Sequence, residues 1–208
     1  MLTDLEAAKL CQAVYAGQGA TFSGWLDQNG ITVGLLYRGS DAVVVFRGTA
    51  DGEDWLRDVE ALPQGTPDLG FVHAGFFEGM REFYNKNKWL LTGNVTLTGH
   101  SLGAARAVLM AGLMAADGKK PARVALFGCP RPGGSKLMSL VRSTGAVITS
   151  YCNWEDPVPE VPYLPWVYTH LVDPPTSVQA PKKCAVDVED HFIIHYVEAM
   201  QAREVTHG

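Results

Sequence analysis

The 208 residues are 47% hydrophobic and 19% charged, a balance that suits one globular α/β-sized domain over 1–208 and excludes an intrinsically disordered chain. Seventeen Lys and Arg against 22 Asp and Glu leave a net charge of -5, so there is no basic excess to neutralise nucleic-acid phosphates. No run of 18 uncharged apolar residues is present, and stable membrane insertion is not expected.

The stretch Met1–Leu10 lacks the basic and apolar regions of a secretory signal. Cys11, Cys129, Cys152 and Cys184 are scattered, without CxxC spacing. Free thiols in a cytoplasmic setting are the expectation, although a mature secreted chain would look the same. In chain order, Thr3 to Tyr15 reads as a helix, with Leu5, Ala8, Cys11 and Val14 at helical spacing and a Thr3/Glu6 capping box. Ile31 to Tyr37 and Ala42 to Arg47 read as a hairpin joined at Gly39-Ser40-Asp41. Short strands are predicted at Asn94 to Thr98, Arg123 to Phe127 and Val147 to Cys152. Helices are predicted at Gly75 to Leu91, Leu102 to Ala116 and Gly134 to Ser143, with a last one from Glu189 toward Arg203. The alternation of strand and helix implies an α/β fold with a mainly parallel sheet, flanked by helices and carrying antiparallel strands on one side. The proline-rich stretch Asp156 to Pro165 can be neither helix nor central strand, and a rigid loop is expected there.

Gly99-His100-Ser101-Leu102-Gly103 has the G-x-S-x-G spacing and sits between a predicted strand and a predicted helix. That context defines a nucleophile elbow. The turn lifts the Ser101 hydroxyl off the sheet, and the following helix start supplies N–H groups and positive potential for an anion.

A nucleophilic serine needs a base and a group to orient that base. His100 adjoins the serine and is read as pointing elsewhere; His207 is terminal, and His73 precedes the elbow. Chain order in elbow enzymes leaves His170, His191 and His195. His191 is preferred, because it lies where a loop gives way to the last helix. The His191/His195 pair lacks the glutamate of H-E-x-x-H, so no metal is expected. Asp156 is the preferred acid, at a strand end and held by the prolines after it; Asp173 is second.

Several segments together resemble the class 3, or fungal-type, lipase family. They are Val44-Val45-Phe46-Arg47-Gly48-Thr49, Asp54-Trp55-Leu56-Arg57-Asp58, Val72-His73-Ala74-Gly75-Phe76, the elbow, Phe127-Gly128-Cys129-Pro130-Arg131-Pro132-Gly133, Asp156-Pro157-Val158-Pro159, and Asp190-His191 followed by Tyr196. Fungal members commonly have tyrosine closer behind the histidine, so the chain looks more like compact bacterial or phage members. The resemblance implies an α/β-hydrolase fold and a Ser101–His191–Asp156 triad, with an oxyanion hole formed by Thr49 and Leu102. The residue after the nucleophile and a loop after an earlier strand are where such donors belong. Arg47 and Asp58 are expected to pair, His73 to bond to backbone, and Arg131 to be structural.

These residues describe a serine carboxylic-ester hydrolase, a lipase or esterase, that needs no metal or organic cofactor and takes a small-molecule or lipid ester. An acyltransferase on the same triad and a non-catalytic binding domain on this scaffold are the alternatives. Two apolar segments, Ala50 to Phe71 and Trp154 to Tyr168, are expected to line the site. The first has the length of a short lid hinged at Gly52, Pro63, Gly65 and Pro67. Its modest size favours esters of short or medium acyl groups.

Overall fold

The computed structural model describes residues 2–17, 19–49, 62–153, 156–164, 166–178 and 191–207. Helix α1 (Asp4–Tyr15) starts as its sequence dictates. The Thr3 hydroxyl accepts from Glu6 N at 3.1 Å, and Thr3 N donates back to Glu6 Oε2 at 2.7 Å. These bonds satisfy two groups that a helix start leaves orphaned.

Strands β1 (Gly24–Gln28), β2 (Ile31–Arg38) and β3 (Asp41–Phe46) form an antiparallel meander. The second hairpin is the predicted one. The first was not predicted, although Asn29-Gly30 is its turn: φ is +52° at Asn29 and +71° at Gly30, the left-handed pair that two-residue hairpins use. Next comes a small hairpin, β4 (Pro63–Thr66) with β5 (Gly70–His73). It occupies part of the segment expected to be a lid. Pro63, Gly65 and Pro67 are therefore hairpin residues rather than hinges, tied by Thr66 Oγ1 to Gly70 O at 2.9 Å. Residues 50–61, with Gly52, Trp55, Leu56 and Asp58, lie outside the described residues.

The helix predicted from Gly75 to Leu91 is two helices and a 3₁₀ turn. Helix α2 (Ala74–Phe77) is followed by α3 (Met80–Asn87) and the turn Lys88–Leu90. Gly79, at φ +70°, breaks the run.

Strands β6 (Thr96–His100), β7 (Arg123–Phe127), β8 (Val147–Asn153) and β9 (Thr176–Val178) continue from β3 in parallel. Among the described residues the sheet order is β1-β2-β3-β6-β7-β8-β9, a mainly parallel sheet with the antiparallel strands at one side, as expected for an α/β-hydrolase fold. Helices α4 (Leu102–Ala116), α5 (Ser135–Arg142) and α6 (Ile193–His207) complete the layers.

Side chains alternate across the sheet with the two-residue period of extended chain. Val44, Phe46, Leu97, Val124 and Leu126 pack in a core with α4 and α5. Val43, Val45, Ala125, Phe127 and Tyr151 face the other way, into a core with α1 and α6. The central strands β3, β6 and β7 are buried on both faces, as strands of a parallel sheet covered by helices are. Asp4 ties α1 to the sheet, accepting from Arg123 at 2.5 Å and from Thr149 and Tyr151 at 2.9 Å each. Among the described residues no helix is long and apolar enough to cross a membrane.

Candidate active site

Ser101 lies between the end of β6 and the first turn of α4, at φ +59° and ψ -132°. A non-glycine residue held there is strained, and the surroundings must over-determine it. Two glycines do so. A Cβ on Gly99 would stand 2.3 Å from the Gly103 carbonyl carbon, and one on Gly103 would stand 2.2 Å from Phe46 O. Strand, turn and helix meet too closely for any side chain at either position. Ser101 N donates to Phe127 O at 3.0 Å, which fastens the turn to β7. The predicted elbow is therefore present, and its glycines are there for close approach.

Asp156 follows the end of β8, and His191 precedes α6; both are buried. His191 Nδ1 lies 2.7 Å from Asp156 Oδ2. The same oxygen accepts from the Tyr196 hydroxyl at 2.5 Å, and Oδ1 accepts from Val158 N at 2.8 Å. The Tyr196 oxygen in turn accepts from Asn153 N at 3.0 Å. Burial alone would raise the Asp156 carboxyl, but the donors from His191, Tyr196 and Val158 outweigh it and hold the group below the ordinary carboxylate range. Asp156 is thus an ionised acceptor aimed at one nitrogen of His191. The other nitrogen, Nε2, is buried and has no hydrogen-bond partner among the described residues.

Gly128 makes room for this pair. Its φ is +54°, and a Cβ there would lie 2.9 Å from both Asp156 Oδ2 and His191 Cε1. The proline-rich loop after Asp156 is the expected rigid connection, with one 3₁₀ turn at Val158–Glu160. Arg131 is structural, as expected: its Nη2 meets Glu160 Oε2 at 2.6 Å and its Nη1 meets Glu160 O at 2.7 Å.

Thr49 is half-buried at the end of the loop that leaves β3, and Leu102 is the first residue of α4, whose N–H has no intrahelical acceptor. Gly48, the residue before Thr49, lies against the elbow: a Cβ there would be 3.2 Å from Ser101 Cβ. Asp173, the second choice of acid, is exposed, and Asp156 holds the histidine instead. His195 meets Glu198 at 3.5 Å and His170 accepts from Arg131 Nε at 3.3 Å, whereas His191 meets Asp156. His73 Nδ1 accepts from Phe76 N at 3.3 Å, the backbone bond expected of it. The partner expected for Arg47, Asp58, lies outside the described residues, as do Trp154, Cys184 and Asp190. Cys11, Cys129 and Cys152 are free thiols.

One reading of the sequence needs correcting. His100 does not point away from the site. It is buried, with Nε2 2.6 Å from His191 O and Nδ1 2.9 Å from the Tyr15 hydroxyl. Both contacts are remote in sequence, so no local pattern announced them. The Asp156–Tyr196 bond was missed for the same reason, although Tyr196 itself stood in a matched segment.

The apolar lining divides. Val158 and Tyr168 are fully buried and belong to the scaffold, whereas Leu62, Phe71, Tyr163 and Trp166 are exposed. Phe71 and Trp166 share one surface groove with Tyr168 and Lys136.

Comparison with known proteins bears on the family and the fold. Residues 43–166 match the family described as Lipase (class 3). Secreted mono- and diacylglycerol lipase A of Penicillium cyclopium is 27% identical over 192 residues, 85% of this chain and 62% of that protein. The lipase of Rhizomucor miehei is 30% identical over 141 residues, covering 61% of this chain and 39% of that protein. The chain thus spans less than two thirds of the length of these relatives. Lipase II from Rhizopus niveus superposes with a TM-score of 0.69 at 20% identity, covering 91% of this chain and 90% of that one. That likeness supports the shared α/β-hydrolase fold.

Proposed function

This chain belongs to the class 3 lipase family, and on that premise we propose that it is a serine carboxylic-ester hydrolase acting through a Ser101–His191–Asp156 triad. The observation that carries the reading is Ser101 itself, held at positive φ between two glycines that admit no side chain, together with the His191–Asp156 bond.

The chemistry follows from the donors and acceptors. Asp156 fixes the proton of neutral His191 on Nδ1, which leaves Nε2 as a buried, unpaired base. His191 takes the Ser101 proton as the hydroxyl attacks the ester carbonyl. The negative charge that develops on the carbonyl oxygen is met by the Leu102 N–H at the start of α4 and by Thr49 through its N–H and hydroxyl. Collapse of the tetrahedral intermediate expels the alcohol, which His191 protonates. Water then attacks the acyl-enzyme with His191 again as base, restoring Ser101. The family and the names of the relatives support a lipid-type ester as the substrate. Within that class the reading favours soluble esters of short or medium acyl groups, with little rate increase when substrate passes from monomer to emulsion.

Hydrolysis of a p-nitrophenyl ester series by wild type and Ser101→Ala tests the proposal. Ser101→Ala should lose about 10⁶-fold in kcat while folding normally, because it removes one hydroxyl. Activity retained at a tenth of wild type would overturn the assignment. A steep rise in rate above the solubility limit, with preference for long-chain triacylglycerol, would overturn the chain-length reading.

A further inference from the structure

His100 is a buried imidazole whose two nitrogens both have partners, and those partners determine where its proton sits. The His191 main-chain oxygen, 2.6 Å from Nε2, can only accept, so Nε2 carries the hydrogen. Burial, together with the neighbouring His191, lowers His100 to about 3, so the ring is neutral and Nδ1 presents a lone pair. The Tyr15 hydroxyl, 2.9 Å away, therefore donates to Nδ1. Tyr15 also packs directly on the loop leaving β3: a Cβ on Gly48 would fall 2.2 Å from the Tyr15 oxygen. The residue after Gly48 is Thr49. The two imidazoles lie with ring centroids 4.5 Å apart. One continuous series of contacts thus joins the Gly48–Thr49 loop, Tyr15 on α1, His100 on the elbow and the backbone of His191.

We propose that Tyr15 and His100 are positioning residues, which hold the His191 main chain in register with both the nucleophile and the Gly48–Thr49 loop. This rests on the reading of Ser101 as nucleophile and His191 as base. Asp156 sets the ring of His191 from one side; His100 sets its backbone from another. Tyr15 in turn sets His100. Without the Tyr15 donor, Nδ1 loses its partner and the ring is held by the Nε2–H bond alone. It is then free to pivot, and the His191 main chain with it. The base would shift relative to Ser101, and displacements well under 1 Å at a reacting centre cost rate.

The test combines activity with a spectroscopic signature. Wild type, Tyr15→Phe, His100→Gln and His100→Asn are compared by rate of labelling with a fluorophosphonate, by kcat and KM on a p-nitrophenyl ester, and by thermal unfolding. The ring nitrogens of His100 are followed by ¹⁵N NMR. Glutamine can place an amide N–H near the position of Nε2, whereas asparagine reaches only that of Nδ1. The expected result is an Nε2–H tautomer in wild type that persists in Tyr15→Phe, with the Nδ1 resonance shifted because its lone pair has lost the Tyr15 hydrogen bond. Labelling and kcat should fall roughly tenfold or more in Tyr15→Phe and His100→Asn with KM little changed, and most of the rate should return in His100→Gln. Labelling of His100→Asn at the wild-type rate, His100→Gln as slow as His100→Asn, or a proton on Nδ1 in wild type would each overturn the proposal. Wild type that is not labelled at all would instead refute the hydrolase reading on which it rests. Tyr15→Phe and the wild-type spectrum keep the test decisive if a His100 variant does not fold.

Discussion

Replacing Gly128 by Ala tests how tightly the His191–Asp156 pair is held, without touching either residue. At φ +54° an alanine costs about 1–2 kcal/mol more than glycine. The new methyl would sit 2.9 Å from Asp156 Oδ2, 2.9 Å from His191 Cε1 and 3.1 Å from His191 Nδ1, where ordinary contact begins at 3.4 Å. Gly128 cannot retreat, because its N–H is bonded to Tyr151 O at 2.9 Å within the sheet. The carboxylate and the ring must therefore each give by about half an ångström, on the Asp156 side of the imidazole. Misplacement of about 1 Å costs on the order of 10²-fold, so kcat should drop roughly ten- to a hundredfold with KM nearly unchanged. Pre-steady-state burst amplitude on a p-nitrophenyl ester counts competent sites, and steady-state turnover then gives kcat per site. A Gly128→Ala enzyme with wild-type kcat and only a lowered Tm would show that the pair relaxes as a unit, and would refute the argument from crowding.

Other outcomes follow from the same geometry. Asp156→Asn should lower kcat by roughly 10⁴-fold, because the amide favours the wrong imidazole tautomer, while the exposed Asp173→Asn should match wild type in the same assay. Thr49→Val should lower kcat about 10²-fold at constant KM if its hydroxyl meets the oxyanion; an unchanged kcat would leave that role to N–H groups alone. Stability should depend on pH through His100. Burial first, and His191 second, depress its folded value from 6.5 to about 3, with Asp156 opposing. Between those values the unfolded chain binds the extra proton, so stability falls as pH drops through the window, by up to about 1.4 kcal/mol per unit. Urea unfolding at pH 7, 6, 5 and 4 should show a shallower decline for His100→Gln than for wild type, and equal slopes would contradict the buried neutral ring.

What could be read from the chain was what its local pattern encodes. The elbow was legible because two glycines and a serine at fixed spacing express a steric demand that is itself local. The Thr3/Glu6 cap and the β2–β3 hairpin were legible for the same reason. Strand β1 was overlooked because Trp25 to Gln28 is short and only half-buried, although the Asn29-Gly30 turn marked it. Strand β9 is three residues long, too short to show a period. Helices α2 and α3 carry apolar residues on either side of Gly79, so periodicity runs through a break that one backbone angle makes. His100 was misread because its neighbours in sequence do not reveal its neighbours in space. Asp156 and His191 were found by chain order and strand-end position, but Tyr196 completes their network at a distance of 40 residues.

Those separations bear on how quickly the native state is reached. The bonds around the site join residues 35, 40, 85 and 91 positions apart, and the Asp4 cluster spans 119, 145 and 147. Closing loops of that length costs entropy before any contact repays it, so contact order of this kind slows folding relative to helical proteins. The strand–turn–helix around Ser101, by contrast, is one continuous segment, Thr96–Ala116. On dilution from denaturant, helical signal should therefore return ahead of ester turnover. During the lag Ser101 is an ordinary alcohol, because reactivity belongs to the closed chain and not to any segment of it.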